Sequence, residues 1–226
     1  MTRSARTRTA ERIDTLMERA TESLESASYF PAEALAQQAL ALAHQHGDYA
    51  RMARILLPLE EARRQKRLCA VDVGFAGILD EAPGDEWPDR AGCWLVQPPL
   101  VGADGRELRH RADERGVPIL LLTREPVTQL GAWPIVVIGP VTVRAYVEPP
   151  DGEPDTAWFL ATSEALGEAA IASLDPDRCA SRRVDDLFDL LSSVRDHDEL
   201  HQALADACRE ALEQEREGAA SARKAG

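Results

Sequence analysis

The pentapeptide HDELH, residues 197–201, is the stretch whose residue types and spacing could most readily do chemistry. On a helix, His197 and His201 lie one turn apart on the same face, so both imidazoles could bind one metal ion. A zinc peptidase motif requires a glutamate directly after the first histidine, whereas Asp198 stands there, and it also requires a third ligand. His110 could supply that ligand only from elsewhere in the chain, and nothing in its spacing supports the role.

The same stretch also has an ordinary structural interpretation, in which it begins an amphipathic helix. Asp196 can cap that helix, and Glu199 stands three residues further on, as in a capping box. The buried face of the helix would then consist of Leu200, Leu204, Ala207 and Ala211. We therefore expect no metal and no other cofactor, with His197 and His201 as the only candidates for metal ligands.

A second group of polar residues follows two buried strands that the sequence predicts. Apolar runs at 93–97 and 117–123, separated by a polar helix over 104–115, indicate a βαβ unit with parallel strands. Ligands bind at the carboxyl ends of such strands, where an arginine can hold a carboxylate or a phosphate. The candidate ligand-binding residues are Gln97, Asp104, Thr123, Arg124 and Glu125. The alternative is a surface pair of Arg124 with Glu125, and Asp104 as a helix N-cap.

The usual sequence motifs of catalysis are missing from this chain. It has no GxSxG nucleophile elbow and neither of the glycine-rich phosphate-binding motifs. The four cysteines have no CxxC spacing, so we predict reduced thiols that serve as small buried side chains; they are Cys69, Cys93, Cys179 and Cys208. The sequence therefore favours a protein that is not an enzyme.

Three helices are predicted in the first third of the chain, where apolar residues recur at intervals of three and four. Within residues 10–67, the small and large positions Ala36, Leu40 and Ala43 and the turn at Gly47-Asp48 resemble a tetratricopeptide repeat. The resemblance implies an array of helical hairpins that binds a peptide or a protein partner. The alternative is a helical layer that packs on the rest of the protein.

Together these elements predict an α/β protein, with an N-terminal antiparallel helical hairpin array and a small, mostly parallel sheet flanked by helices. The predicted organisation is a disordered arm over residues 1–9, the helical array over 10–67, a small α/β domain with C-terminal helices over 68–214, and a flexible tail over 215–226. Residues 68–91 show no pattern that predicts their structure.

Composition narrows the classes of function. The chain carries 39 acidic and 26 basic residues and a net charge of -13, so it should repel nucleic acid. The absence of a long apolar run and of a secretory signal predicts a cytoplasmic protein outside the membrane. We expect a non-catalytic interaction or adaptor protein that binds another protein or a peptide through the helical array or the acidic surface. The alternative is an enzyme or a small-anion- or nucleotide-binding protein that uses the carboxyl edge of the sheet.

Overall fold

The computed structural model describes residues 3–127 and 131–224. In these residues the helices are α1 (Arg3–Glu25), α2 (Tyr29–Gln45), α3 (Tyr49–Val71), α4 (Gly102–Arg115), α5 (Thr156–Ala172), α6 (Ala180–Ser193) and α7 (Asp198–Lys224). The strands are β1 (Ala76–Leu79), β2 (Gly92–Val96), β3 (Ile119–Arg124), β4 (Trp133–Ile138) and β5 (Thr142–Val147). These elements confirm the predicted α/β class with helices flanking a sheet.

The chain divides into two compact units. The helical unit consists of the residues up to Arg63, residues 175–188 and the residues from Asp198 onward. The α/β unit consists of residues 64–174 and 189–197 and contains the whole sheet. This division differs from the predicted domains, because α7 and most of α6 belong with the N-terminal helices. No helix among the described residues is both long and apolar enough to cross a membrane.

The helical unit is held together by the apolar faces of its helices. Ile13 of α1, Leu40 of α2 and Met52 of α3 are buried, and Leu200 and Leu204 of α7 are buried as well. Burial of such side chains contributes about 1.5–3 kcal/mol each to folding. Because α7 buries the apolar stripe that the sequence predicted, it groups with the N-terminal helices although it is far from them in the chain.

Both ends of the chain are more helical than the sequence predicted. Helix α1 begins at Arg3, where a disordered arm over residues 1–9 was expected, and α7 continues to Lys224, through most of the expected tail over 215–226. Both segments are rich in arginine, alanine or glutamate, which favour helix, and neither contains a proline that would stop it.

The α/β unit contains a five-stranded sheet with the strand order β1-β2-β3-β4-β5. Strands β1, β2 and β3 are parallel, whereas β4 pairs antiparallel with β3 and with β5. The sheet is therefore mixed: it is parallel from β1 to β3 and antiparallel from β3 to β5. The short turn at Gly139-Pro140 joins β4 to β5, and such a turn can join only antiparallel neighbours. Strand β1 lies inside residues 68–91, for which the sequence predicted no structure.

Helices α4 and α5 pack on this sheet, α4 on β3 and β4, and α5 mainly on β5. Strand β2 is buried along its whole length and β3 along all but its ends, as expected of strands that are covered on both faces. Strand β5 alternates instead: Val143 and Ala145 are buried, while Thr142, Arg144 and Tyr146 are exposed. The C-terminal ends of β2 and β3 thus lie together at one edge of the sheet, beside the beginning of α4.

Candidate functional site

The two histidines of HDELH are both buried, with 0% of His197 and 1% of His201 exposed, but each has its own partner. His197 Nε2 lies 3.1 Å from Glu164 Oε1, and His201 Nε2 lies 3.1 Å from Arg63 Nη1. A guanidinium can only donate, so His201 Nε2 accepts that bond and its ring proton is on Nδ1. Among the residues that the structure describes, no group of three or more His, Cys, Asp and Glu side chains could hold a metal ion.

His197 also has a steric role in the α/β unit. Its imidazole lies directly over Gly167 of α5, where a Cβ atom would come within 1.9 Å of the ring carbon Cδ2. Position 167 therefore accepts only glycine while the ring stays in place. The histidine is a packing residue of this unit, which agrees with the structural interpretation of the motif.

The polar residues predicted at the strand ends mostly bind one another or their neighbours. Arg124 donates to the Gln97 side chain over 3.0 Å, and its guanidinium lies 4.5 Å from the centre of the Trp133 ring. Glu125 forms a two-point ion pair, at 2.8 and 3.0 Å, with Arg144 instead of with Arg124. These contacts hold the ends of β2, β3 and β5 in place.

Asp104 is not the N-cap of α4 but its third residue. Its Oδ2 accepts a hydrogen bond of 2.7 Å from the backbone N–H of Val101, which precedes the helix. This is the reciprocal half of a capping box. Thr123, one of the five predicted ligand-binding residues, lines a cavity.

That cavity has a volume of about 400 Å³ and lies in the α/β unit, at the C-terminal end of β3. Its walls come from the first two turns of α4, from β3 and β4, from the turn between β4 and β5, from α5 and from the end of α6. The lining residues include Gly102, Gly105, Arg106, Arg109, Thr123, Val136, Val137, Ile138, Leu166, Ser193 and Arg195. We call it the strand-end cavity.

Two glycines let α4 begin close to the sheet. A Cβ atom at Gly102 would come within 2.6 Å of Ile138 Cδ1, and one at Gly105 within 2.0 Å of Thr123 Oγ1. Because neither residue has a side chain, the first turn of the helix borders the strand-end cavity directly. The backbone N–H groups of that turn have no partner inside the helix and give this end a partial positive charge.

Three arginines line the strand-end cavity, and two of them are held by other groups. Arg109 donates to the Leu121 carbonyl over 2.7 Å, and its Nη1 lies 3.4 Å from Asp196 Oδ2. Arg195 donates over 2.9 Å to Asp113. Arg106 differs from both: it is exposed and makes no hydrogen bond or ion pair with any residue in the described parts of the chain.

Thr123 is the other polar group in the cavity that lacks a partner. Its side chain is only 3% exposed, yet its hydroxyl makes no hydrogen bond to a described residue. A hydroxyl can both donate and accept a hydrogen bond, so a ligand atom in the cavity can bind it.

Thr123, which the sequence predicted as a ligand-binding residue, lines the strand-end cavity, whereas the three arginines of that cavity were not predicted. The available signal was the run Gly102-Ala103-Asp104-Gly105-Arg106, which places two glycines one turn apart at the beginning of a helix that follows a buried strand. Arg195 had no comparable signal, since it lies 72 residues beyond Thr123 in the sequence, at the end of α6.

The helical unit has a groove of its own, with a volume of about 550 Å³. It lies between the N-terminal half of α1, the turn from α2 to α3, and α7. Tyr49 borders it, and burial, followed by the nearby charge of Glu215, raises the pKa of the Tyr49 hydroxyl. Asp48 also borders it and is paired with Arg51 at 2.8 Å. We call it the helical groove.

The four cysteines are free thiols, as the sequence predicted, but they are not all buried. Cys93 and Cys208 are buried, and burial raises their pKa values to about 11 and about 12. Cys179 is exposed, and a hydrogen bond with the Ser181 hydroxyl, among other contacts, lowers its pKa. The prediction of buried side chains was therefore wrong for Cys179, which precedes α6 on the surface.

Comparison with known proteins adds no assignment to this geometry: the chain matches no family model, no curated protein and no solved structure.

Proposed function

We propose that this protein binds a small anionic ligand in the strand-end cavity. The observation that carries the proposal is the presence of Arg106 and the Thr123 hydroxyl on one cavity, both without a hydrogen-bond partner among the described residues. An arginine fork and a hydroxyl donor are groups that carboxylates and phosphates accept hydrogen bonds from. The sequence analysis raised anion binding as the alternative function, with Arg124 as the anion-binding arginine. Here Arg106 takes that role.

The electrostatics of the cavity support an anion as the ligand. The chain as a whole carries a net charge of -13, so an unpaired arginine at a cavity stands out against the acidic surface. The beginning of α4 adds the partial positive charge of a helix N-terminus on the same side. An anion that reaches this position gains an attraction that the rest of the surface does not offer.

The size and location of the cavity also suit a small molecule. A volume of about 400 Å³ lies within the range of 300–1,000 Å³ that is typical of ligand pockets. Ligands of α/β proteins bind beyond the carboxyl ends of the strands, which is where this cavity lies. The proposal concerns binding, and it assigns no reaction.

The test is anion binding by wild-type protein and by Arg106→Gln, measured at constant ionic strength by isothermal titration calorimetry with sodium phosphate and sodium acetate. Loss of a charge-assisted hydrogen bond should weaken the better ligand by roughly tenfold or more. Arg115→Gln is the matched control, because Arg115 is an exposed arginine of the same helix that does not line the cavity. Equal affinities in wild type and Arg106→Gln would reject the proposal.

A second candidate is the interaction or adaptor function, for which the helical groove is the supporting observation. The large apolar residues of α1 to α3 are mostly buried, so the groove rather than a broad apolar face would receive a peptide. Its test is capture of a partner by the full chain carrying Glu215→Lys. This candidate requires that capture weakens with Glu215→Lys and is unchanged with Arg106→Gln.

A cytoplasmic location is part of the proposal as well. Its support is that all four cysteines are free, as is usual in a reducing compartment. Fractionation of the producing cells with an antibody to the protein tests it.

A further inference from the structure

We infer that the ligand of the strand-end cavity is an organic acid with a single negative charge, a carboxylate with an apolar body, and not a nucleotide or another polyphosphate. The inference rests on the proposed function and narrows it. Two features carry it: the balance of charges around the cavity, and the side chains that form its inner walls.

Among the described residues that line the cavity, Arg106 is the one cation that no carboxylate pairs with. Arg109 is paired with Asp196 and Arg195 with Asp113, which leaves Arg106. The remaining charges nearby offset each other, since Lys66 shares Asp113 at 2.6 Å while Asp104 adds a carboxylate to the first turn of α4.

Sites for polyphosphates bring several uncompensated cations or a metal ion to the phosphates, together with a glycine-rich loop that wraps them. Here Asp104 stands in the turn that such a phosphate would approach, and its charge would repel a second negative charge more strongly than the first. A head group with a single charge matches the single free guanidinium.

Part of the lining is apolar. Val136 and Ile138 of β4 border the cavity with side chains on the face of the sheet that α4 covers, and Leu166 of α5 lines it as well. An inorganic anion would leave that surface in contact with water, whereas an aliphatic or aromatic body would cover it. A ligand whose carboxylate is bound by Arg106 and Thr123, and whose apolar body packs against β4, would fill both parts of the cavity.

The experiment is a binding series with acetate, butanoate, hexanoate and octanoate, together with inorganic phosphate and ATP, at constant ionic strength. Each methylene that enters the cavity should tighten binding by roughly fourfold, until the chain reaches the mouth. We expect hexanoate to bind more tightly than acetate, phosphate and ATP.

Variants separate the head from the body of the ligand. Val136→Thr keeps the shape of a buried side chain but makes the wall polar, so the gain per methylene should fall while acetate binding stays unchanged. Val73→Thr is the matched control, because Val73 is exposed and does not border the cavity. Circular dichroism of each variant establishes that it is folded.

The outcomes distinguish failure of the carboxylate inference from failure of the proposed anion site. Binding of phosphate or ATP that is tighter than that of hexanoate and depends on Arg106 would overturn the carboxylate and leave the anion site standing. Binding of octanoate that is unchanged by Arg106→Gln, or no anion binding at all, would overturn both. Chain-length gains that disappear in Val136→Thr but persist in Val73→Thr support the inference.

Discussion

Replacing Arg63 by methionine should destabilise the helical unit by about 3–5 kcal/mol, because it breaks a buried ion pair on one side. Arg63 Nε lies 2.9 Å from Glu33 Oε1, and the two side chains are only 5% and 6% exposed. Methionine keeps an apolar stem of similar length, so the change removes the charge and its hydrogen bonds with little loss of packing. The Glu33 carboxylate then stays buried without the Arg63 guanidinium.

The double variant Glu33→Leu with Arg63→Met should recover much of that loss. It leaves neither charge of the pair, although the hydrogen bonds of Gln37 with Glu33 and of His201 Nε2 with Arg63 are lost as well, at about 1–3 kcal/mol each. Arg182→Met is the matched control: its ion pair with Asp185 joins side chains that are 67% and 50% exposed, and such pairs contribute about 0–1 kcal/mol.

The assay is urea unfolding followed by far-UV circular dichroism, with the free energy of unfolding obtained by linear extrapolation. A stabilising role of the buried Arg63–Glu33 pair is refuted if Arg63→Met loses no more stability than Arg182→Met. It is also refuted if the double variant is less stable than the single one, since the loss would then come from packing and not from the stranded carboxylate.

Two further predictions concern other sites. Gly167→Ala should destabilise the α/β unit by roughly 1–3 kcal/mol, because its Cβ would overlap the His197 ring; Gly218→Ala, with nothing within 4 Å of the new Cβ, should be neutral or slightly stabilising. Urea unfolding followed by tryptophan emission checks this, and equal effects of the two changes would contradict it. Iodoacetamide should label Cys179 in the folded protein, with a midpoint below the ordinary thiol pKa, and Cys93 only on unfolding. Mass spectrometry over a pH series checks the labelling, and modification of Cys93 in the folded protein would speak against it.

Periodic patterns allowed most of the fold to be predicted from the sequence. The buried faces of α1, α2 and α7 recur at helical intervals, and β2 and β3 are continuous apolar runs, so local composition determines them. Strand β1 was missed because Ala76–Leu79 is four residues long and begins with two small side chains. It becomes a strand by pairing with β2, and the local sequence pattern does not predict that pairing.

The site was harder to predict, because its partners come from distant parts of the chain. His201 meets Arg63, which is 138 residues away, and His197 meets Glu164, which is 33 residues away. The rule for strand ends pointed to the edge of the sheet where Thr123 lines the strand-end cavity. Which arginine stays unpaired there depends on Asp113 and Asp196, which only the folded chain brings to their arginines.

The measurement that tests the anion site most directly is an NMR titration of the ¹⁵N-labelled protein with hexanoate. If hexanoate binds in the strand-end cavity, the largest chemical-shift changes should occur at the amides of residues 102–106 and of Thr123. These changes should disappear in Arg106→Gln. Shifts confined to the helical unit, or shifts of equal size in Arg106→Gln, would contradict it.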